Sequence, residues 1–573
     1  MEPLDAAARA RNLGAMAHDE FDVLVIGGGI TGAGVALDAA LRGYRVALVE
    51  KGDFASATSS RSTKLVHGGI RYLPQFDFAL VREALAEQRR LLRNAAYLVR
   101  PLTFVLPLYR GARRPVGTPI APPHGVGLGL ILDAGLWLYD ALARRLGRAR
   151  HRHISAREAL KLAPSLRPDG LKSAFLYTDA QTNDTQLTLA VLRTAAQHGA
   201  ALANYAEVTG FTRAGDLPDG RLSGATVRDT LGGGCFTVRA RHVVNATGIF
   251  AERVERLTGD VARVRIEPSK GIHLVVDRAR AGLREMAVVI PETEDGRILF
   301  VVPWGPRALI GTTDTGSGDL DDPEATPEDI AYLLRHVNRV LDSDLSEADI
   351  LSVYAGYRPL VRTKPGATAR LSRSHVALEH PTSGLVTIVG GKLTTYRIMA
   401  QQAVDRLAQR DGLSPAHPTR RLPLTGGMDW PAARERLAAR AHSLGLPSDV
   451  AAHLAFYYGR DANTVLDIAA EDAALGERIV PDLPYLRAEV LFAVRYAMAQ
   501  RLEDVLARRT RISIEDGRRG TGVAAAVAHL MAGELGWAPE RVCAEVTAYT
   551  AAVARHLTAE GLAGPEPRPE PGA

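Results

Sequence analysis

Three glycines near the start of the chain have a spacing that suits the binding of a pyrophosphate. Gly27, Gly29 and Gly32 form a G-x-G-x-x-G motif directly after the short apolar run 21–26, and they open the helical stretch 30–41. In this motif the first glycine makes a tight turn, the second lets the backbone approach a pyrophosphate, and the third lets helix and strand pack closely. Free N–H groups at the helix start attract the anion. The pattern predicts a dinucleotide-binding site.

An acidic residue stands where the adenosine ribose of a dinucleotide would lie. Glu50 ends a second apolar run, 45–50, and it follows Gly32 by about 20 residues, so it can accept hydrogen bonds from the ribose hydroxyls. Strand, helix, second strand and terminal acid together indicate a βαβ unit. The alternative is a glycine-rich turn in another α/β fold. The motif alone does not separate FAD from NAD.

Two later segments favour FAD over NAD. A strand runs into Ala246, Thr247 and Gly248 within VVNATG, and residues 385–397 (LVTIVGGKLTTYR) form another strand, a Gly-Gly pair and a helix. An extended FAD needs contacts from several strand ends, and a Gly-Gly pair at a helix start can supply donors near the flavin. The alternative for VVNATG is a plain buried strand and turn.

Length and composition limit the class of protein. The chain has 573 residues, a net charge of +6 and a charged fraction of 23%, values typical of a globular protein of two to four domains. A disordered chain and a collagen are excluded. Only two cysteines occur, Cys235 and Cys543, which favours a reducing, intracellular compartment. We expect neither a signal peptide nor a membrane-spanning helix, because no apolar run is long enough.

The periodicity of apolar residues predicts the elements that must position these motifs. Short strands are expected within 171–245 and 263–315, and helices at 76–98, 184–198, 327–340 and, as a separate region, 425–558. Residues 1–20 are expected to be a frayed or weakly helical N-terminal extension. The Pro-rich tail 564–573 is expected to be disordered.

Taken together, six segments resemble the FAD-dependent, quinone-linked glycerol-3-phosphate dehydrogenases, which belong to a wider group typified by D-amino-acid oxidase and glycine oxidase. The resemblance covers about residues 21–410, and the helical region 425–558 is similar to the C-terminal domain of that family. The segments are GGGITGAGVALDAALRGYRVALVEKGDFASATSSRSTKLVHGGIRYL, VVNATG, KGIHLVV, IGTTDT, YAGYRPL and GGKLTTYR.

The resemblance implies a fold and a reaction. The fold would be an α/β, Rossmann-like FAD-binding domain (about 21–75, 155–262 and 351–410) interleaved with an antiparallel-sheet substrate domain (about 76–154 and 263–350), followed by an α-helical domain at 425–558. The reaction would be oxidation of sn-glycerol 3-phosphate to dihydroxyacetone phosphate, with electrons passing through FAD to a membrane quinone. Besides the glycine motif, Glu50 and VVNATG, the cofactor contacts would come from Thr58, Ser59, Ser60, Lys64, His67, Gly68, Gly69, Gly391, Lys392, Leu393 and Thr394.

Cationic and hydroxyl side chains in the same segments imply a site for the phosphate of the substrate. Arginine suits a phosphate dianion, because its planar fork makes bidentate contacts. The resemblance implies binding by Arg71, Tyr72, Thr312, Arg358 and Arg373, with Arg71, Arg358 and Lys392 also among the catalytic residues. For any single arginine the alternative is a surface or ion-paired side chain.

A histidine is the expected general base. Removal of the C2 hydroxyl proton suits a group that titrates near neutral pH, and His273 in KGIHLVV is the first choice. His67 in KLVHGG is the second choice and is expected to lie against the flavin. A structural role for either histidine, or an arginine acting on the hydroxyl, stays open.

A quinone as electron acceptor implies contact with a membrane. A quinone lies in lipid, so without a spanning helix the contact must be peripheral, or monotopic, at the cytoplasmic face of the cell membrane. Residues 107–153 combine apolar 126–139 with several arginines and are the candidate surface; a buried cap helix with an exposed basic end is the alternative. A homodimer is compatible with these features. We expect no nucleic-acid partner and no metal.

Three other functions compete with the quinone-linked dehydrogenase. A glycerol-3-phosphate oxidase that uses O₂ would share almost every residue named. An amine or amino-acid oxidase of the same fold would need a carboxylate clamp, which YAGYRPL and GGKLTTY argue against. A flavin-binding scaffold without turnover would not need so many cationic and hydroxyl groups in its motifs.

Overall fold

A computed structural model describes residues 2–70, 77–110, 128–143, 150–217, 220–291, 293–316, 318–362, 375–414 and 416–562. These residues contain seventeen strands. In chain order they are β1 Glu20–Ile26, β2 Val46–Val49, β3 Leu65–Val66, β4 Arg100–Tyr109, β5 Arg152–Ser155, β6 Leu171–Gln181, β7 Ala201–Ala203, β8 Ala206–Arg213, β9 Leu222–Asp229, β10 Cys235–Asn245, β11 Ile266–Asp277, β12 Ala287–Ile290, β13 Leu299–Trp304, β14 Arg307–Gly311, β15 Ile350–Val361, β16 Val376–Glu379 and β17 Val386–Val389.

The same described residues contain sixteen α-helices. They are α1 Ala6–His18, α2 Ile30–Leu41, α3 Phe78–Asn94, α4 Leu128–Ala143, α5 Ala156–Leu162, α6 Asp184–Gln197, α7 Ala251–Arg256, α8 Pro327–Val337, α9 Tyr396–Arg410, α10 Trp430–Ser443, α11 Ser448–Tyr458, α12 Ala462–Glu471, α13 Ala488–Ala497, α14 Ile512–Glu515, α15 Ala524–Leu535 and α16 Pro539–Glu560. The helices predicted around 30–41, 76–98, 184–198 and 327–340 are confirmed as α2, α3, α6 and α8.

The first sheet has a parallel centre built from strands that are far apart in the chain. Its order is β16-β17-β10-β1-β2-β7, and β8 and β9 extend it from β10. β1 pairs in parallel with β10 on one side and β2 on the other. Every residue of β2 is buried, as expected for strands covered on both faces. The carboxyl ends of these strands meet at one edge, where nucleotides bind in such sheets.

The second sheet is almost entirely antiparallel. Its order is β15-β11-β14-β13-β12-β4-β6-β3, with β5 paired to β6, and only the β12–β4 pairing is parallel. β12 and β13 form a hairpin, because they pair antiparallel across residues 291–298, in line with the short strands predicted within 263–315. Side chains alternate between the two faces of β11: Ile272 and Leu274 join one buried cluster, while His273 lies on the opposite face.

The N-terminal segment, predicted to be frayed or weakly helical, forms a regular helix that packs against the first sheet. Helix α1 is regular and capped by Asp5. Met16 is fully buried in the cluster under the first sheet, and the Arg9 guanidinium lies 2.6 Å from the Asp229 carboxylate. These contacts could not be read from the sequence, since the partners of Arg9, which are Asn204, Tyr205 and Asp229, lie about 200 residues away.

The C-terminal region forms its own helical core. Helices α10 to α13, α15 and α16 surround a cluster that includes Leu454, Val465, Val494 and Met531, all almost fully buried. This confirms a C-terminal helical domain. Both cysteines are exposed and unpaired.

The proposed division of residues 21–410 needs one refinement. β6 and β15 lie in the second sheet, although the sequence assigned 155–262 and 351–410 to the FAD-binding part. The side chains of a strand alternate between the two faces whichever sheet the strand joins. The apolar pattern of β6 and β15 therefore does not reveal their partner strands. The tail 564–573 lies outside the described residues.

The contact between α2 and β1 gives a stability prediction. A Cβ on Gly32 would lie 1.9 Å from the Gly27 carbonyl oxygen, so helix and strand would have to separate. We expect Gly32→Ala to lower the free energy of unfolding by about 3 kcal/mol, measured by urea denaturation. The control is Gly14→Ala in α1, where nothing lies within 4 Å of the added Cβ; it should raise stability slightly. Equal effects of the two substitutions would contradict the prediction.

Candidate active site

The glycine motif lies at the carboxyl edge of the first sheet. Gly27 has a φ of +110°, and a Cβ there would be 2.8 Å from the carbonyl oxygen of Ala246. Gly29 caps α2 without a side chain, and only the Ser59 hydroxyl lies within 3.5 Å of the position of its Cβ. Three backbone segments therefore meet around the start of α2. The space beside its first N–H groups suits an anion that approaches the backbone closely.

Glu50 is fixed at the end of β2 by backbone donors. Its carboxylate accepts the N–H of Gly28 at 2.6 Å and the N–H of Gly52 at 2.9 Å. Burial raises the pKa of Glu50, although the two N–H groups act in the opposite direction. The carboxyl group is thus held beside the glycine motif, where it can accept hydrogen bonds from a ribose.

The hydroxyl-rich segment after β2 wraps around the glycine motif. Ser59 Oγ accepts the N–H of Ile30 at 2.9 Å, in the first turn of α2. Thr58 donates to the carbonyl of Tyr357 at 2.7 Å, which links the segment to β15 of the second sheet. Ser60 donates to the carbonyl of Ala57 at 3.2 Å. Of these three predicted cofactor residues, Ser59 is the one that bonds to the first turn of α2.

VVNATG forms the neighbouring wall of the site. The N–H of Ala246 donates to the carbonyl of Ile26 at 2.9 Å, which continues the pairing of β1 with β10. Thr247 donates its hydroxyl to Asn245 Oδ1 at 2.6 Å, and Gly248 has a φ of +58°. The segment turns sharply away from the strand and leaves its backbone at the carboxyl edge.

KLVHGG and GGKLTTY are brought together, although more than 300 residues separate them. Thr394 Oγ1 lies 3.2 Å from the N of His67 and 3.3 Å from its carbonyl oxygen. Gly68 and Gly69 follow at the end of β3, and the N–H of Gly68 donates to Asp179. Gly391, Lys392 and Leu393 precede α9, and Gly391 has a φ of +74°. The loop after β17 of the first sheet therefore lies against the loop after β3 of the second sheet.

Lys64, a predicted cofactor residue, is buried in an ion pair. Its ammonium is fully buried and lies 2.8 Å from the Asp184 carboxylate, with the carbonyl of Ser60 at 3.1 Å. Burial raises the pKa of Asp184, but the Lys64 and Arg511 cations outweigh it and lower that pKa. The Lys64 ammonium is therefore held between Asp184 and the carbonyl of Ser60.

Arg358 and Thr312, both predicted to bind substrate, lie side by side. Arg358 Nη2 donates to Thr312 Oγ1 and to the carbonyl of Thr313, both at 3.1 Å, and Nη1 donates to Ser269 Oγ at 3.2 Å. The Asp314 carboxylate lies 3.5 Å from Nη1. The side chain is a quarter exposed, so these contacts orient the guanidinium while part of the side chain reaches solvent.

His273 lies two residues beyond Gly271 on the same face of β11. Its ring stacks on Tyr354 with centroids 4.7 Å apart, and Nε2 lies 2.9 Å from Thr63 Oγ1. Nδ1 has no hydrogen-bond partner among the described residues. Burial, helped by the Lys64 and Arg358 cations, lowers the pKa of His273 to about 3. The ring is neutral near pH 7 and one nitrogen can accept a proton.

The structure tests the placement of some predicted residues and not of others. It brings Arg358, Thr312 and His273 onto one sheet face, whereas Arg71, Tyr72 and Arg373 lie outside the described residues. Sequence reasoning missed Ser269, Asp314, Thr63 and Asp184. Asp314 stands inside the IGTTDT segment, so its position beside Thr312 was the available signal; Asp184 had none.

Comparison with known families covers nearly the whole chain. Residues 22–397 match the family model described as FAD dependent oxidoreductase (DAO). Residues 417–542 match the model described as C-terminal domain of alpha-glycerophosphate oxidase. The first match covers the part of the chain that forms the two sheets, and the second covers the helical core.

Individual proteins with the same architecture include enzymes of bacteria and mammals. Glycerol-3-phosphate dehydrogenase 2 of Mycobacterium bovis is 41% identical over 96% of this chain and 91% of its own length. The mitochondrial glycerol-3-phosphate dehydrogenase of Mesocricetus auratus is 38% identical over 93% of this chain and 73% of its own. The crystal structure of glycerol-3-phosphate dehydrogenase from Bacillus halodurans, complexed with FAD, superposes with a TM-score of 0.77 and 30% sequence identity. The match covers 97% of this chain and 98% of that chain.

The depressed pKa of His273 predicts a pH dependence of stability. The unfolded chain takes up a proton on this ring below about pH 6.5, whereas the folded protein does so only near pH 3. Folding therefore loses stability as the pH falls through that window. We expect His273→Asn to show a smaller loss of unfolding free energy between pH 7.5 and pH 5 than the wild type, measured by urea denaturation. His198→Asn, an exposed control, should follow the wild type. Parallel profiles for all three proteins would contradict the prediction.

Proposed function

The chain belongs to the FAD-dependent glycerol-3-phosphate dehydrogenases of the FAD dependent oxidoreductase family, and from this premise we propose that it passes its electrons to a quinone at a membrane surface. The assignment of the substrate rests on the Arg358 guanidinium. Ser269, Thr312 and the carbonyl of Thr313 orient it on one face of the second sheet. The observation that carries the membrane side is an exposed apolar stripe on α4.

The residues at the carboxyl edge of the first sheet fit FAD. Side chains at Gly27 and Gly32 would collide with backbone, as expected for the tight turn and the close helix–strand packing of a dinucleotide-binding motif. We propose that the start of α2 holds the pyrophosphate, that Glu50 holds the adenosine ribose, and that the 67–69 and 391–394 loops lie along the flavin. FAD, when bound, supplies the acceptor for the hydride that leaves C2 of glycerol 3-phosphate.

Arg358 is the proposed anchor of the anionic substrate. Ser269, Thr312 and the carbonyl of Thr313 fix its fork, so little side-chain entropy is lost when an anion binds. The Asp314 carboxylate offsets part of its charge. A phosphate dianion therefore needs further cations, and Arg71, Lys392 and Arg373 remain the proposed ones, with Tyr72 as a hydroxyl donor.

His273 is the proposed acceptor of the C2 hydroxyl proton. In the free protein its low pKa keeps the ring in the neutral form that a base needs. A bound phosphate dianion would stabilise the imidazolium and raise that pKa towards the useful range. Thr63, bonded to one ring nitrogen, fixes the orientation of the other. An arginine acting on the hydroxyl is the alternative.

Removal of the Arg358 guanidinium should separate substrate binding from cofactor binding. We expect anaerobic sn-glycerol 3-phosphate to bleach the flavin absorbance of the wild type, and Arg358→Ala to need at least about 100-fold more substrate, since loss of a charge-assisted bidentate contact costs about 3 kcal/mol. Arg228→Ala, on an exposed arginine of β9, serves as the control. Bleaching of Arg358→Ala at wild-type substrate levels would exclude this role.

Helix α4 carries apolar residues on both of its faces. Leu136 and Tyr139 are buried, whereas Leu130, Trp137 and Leu138 are 71%, 48% and 38% exposed. Ala134 and Ala141, exposed as well, complete a stripe at helical spacing. Among the described residues no helix is long and apolar enough to cross a bilayer. The stripe supports peripheral contact of this helix with lipid. The arginine-containing 111–127 and 144–149, also predicted to contribute, lie outside the described residues.

Reoxidation of the reduced enzyme tests the electron acceptor. We expect substrate-reduced protein to be reoxidised much faster by a soluble short-chain quinone than by O₂, and a long-chain quinone to react when it is supplied in anionic vesicles. Leu130→Glu should lower the vesicle reaction about tenfold or more, because it removes an exposed leucine whose insertion into lipid is worth about 2 kcal/mol, and it should leave the soluble quinone rate unchanged.

A matched control distinguishes lipid contact from a general effect of charge. Val261, 87% exposed on the first-sheet side of the chain, is changed to Glu and should alter neither rate. Fast reoxidation by O₂ with formation of peroxide would instead assign the chain as an oxidase. Equal vesicle rates for Leu130→Glu and the wild type would exclude α4 as the lipid contact.

A further inference from the structure

A short arginine-rich segment of the C-terminal region lies against the loop that follows β2. The segment begins with a π-helical turn, Asp504–Arg509, and continues to Arg511. The side chains of Arg508, Arg509 and Arg511 are almost completely buried. Burying three guanidinium groups within four residues costs free energy unless each group is paired. The partners of these groups therefore indicate the role of the segment.

Two of the three arginines share one carboxylate. Arg509 contacts both oxygens of Asp53, at 2.6 and 2.7 Å, and Arg508 Nε donates to Asp53 Oδ2. Burial raises the pKa of Asp53, but Arg509 and Arg508 outweigh it and lower that pKa. Asp53 lies three residues after Glu50, the proposed ribose ligand. A fully buried, bidentate ion pair thus joins the C-terminal region to the start of the loop.

The third arginine holds the other end of the loop. Arg511 Nη2 donates to the carbonyl of Ser60 at 2.9 Å, and Nη1 donates to Thr185 Oγ1 at 2.9 Å. Thr185 belongs to α6, next to Asp184, which pairs with Lys64. The carbonyl of Ser60 also accepts the Lys64 ammonium. Both ends of residues 51–64, the cofactor loop, are therefore bound to buried cations.

The cofactor loop in turn shapes the glycine motif. Phe54 is fully buried, and its ring would lie 2.7 Å from a Cβ on Gly28. Ser59 accepts the N–H of Ile30. Ala55 and Lys64 have φ values of +62° and +59°, which are uncommon for residues other than glycine and persist where surrounding contacts fix them.

We propose that Arg508, Arg509 and Arg511 are positioning residues for FAD. They hold the cofactor loop in the strained shape that places Glu50, Phe54 and Ser59 around the glycine motif. The C-terminal helical domain is then required for cofactor binding although none of these three side chains needs to touch FAD. This role goes beyond the proposed electron acceptor and does not depend on it.

A pair of arginine-to-lysine variants tests this role. Arg509→Lys keeps the charge but loses the bidentate fork. Arg519→Lys is the matched control, because Arg519 is equally buried and bidentate with Glu560 but lies within the C-terminal region, away from the cofactor loop. We expect Arg509→Lys to weaken FAD binding at least tenfold, measured by flavin fluorescence on reconstitution of the apoprotein. Arg519→Lys should remain within twofold of the wild type, even where both lower Tm equally.

Two further measurements keep the proposal falsifiable if Arg509→Lys does not fold. Arg511→Lys, which changes contacts to neutral groups only, should also weaken FAD binding several-fold. In the wild type, removal of FAD should increase deuterium uptake in both 51–64 and 504–511. Unchanged uptake in 504–511, or equal loss of FAD affinity in Arg511→Lys and the Arg519→Lys control, would overturn the proposal.

Discussion

The close approach of three backbone segments at the carboxyl edge of the first sheet is the constraint on which the rest of the molecule depends. At Gly27 and Gly32 no side chain can be added without displacing backbone, so β1, α2 and β10 must hold their positions within a fraction of an ångström. Strands from opposite ends of the chain have to converge for this, β17 included. The interleaved order of the two sheets follows, because the segments between these strands build the second sheet.

Buried charge is the second organising feature, and two buried ion pairs join residues that are far apart in the chain. Lys64 and Asp184 are both fully buried, as are Asp53 and Arg509. Pairs of this kind contribute little net stability, but loss of one partner is expensive. Their main effect is therefore to fix the positions of the segments that they join. Both pairs lie directly behind the cofactor loop, which is the part of the site that glycines alone cannot hold.

The sequence predicts what is local and leaves out what is distant. The βαβ unit around Gly27 to Glu50 is confirmed, because its signals lie within a single run of apolar periodicity, turn glycines and a terminal acid. FAD and the dehydrogenase family are confirmed as well. Helix α1 was not expected to pack, and Asp53, Asp184 and Arg509 were not singled out. Their roles are set by partners more than 100 residues away, and nothing in the composition around a single charged residue identifies such a partner.

The contrast between local and distant signals also explains why the substrate is easier to infer than the electron acceptor. Arg358, Thr312 and His273 lie on one rigid sheet face and sit in short motif segments, so geometry and sequence point to the same chemistry. The proposed lipid contact lies on another element, α4, and among the described residues its outer face makes no hydrogen bond to that site. Exposed Leu130 and Trp137 can change without disturbing Arg358. A dehydrogenase and an oxidase can therefore share one reductive site, and the surface that meets the acceptor distinguishes them.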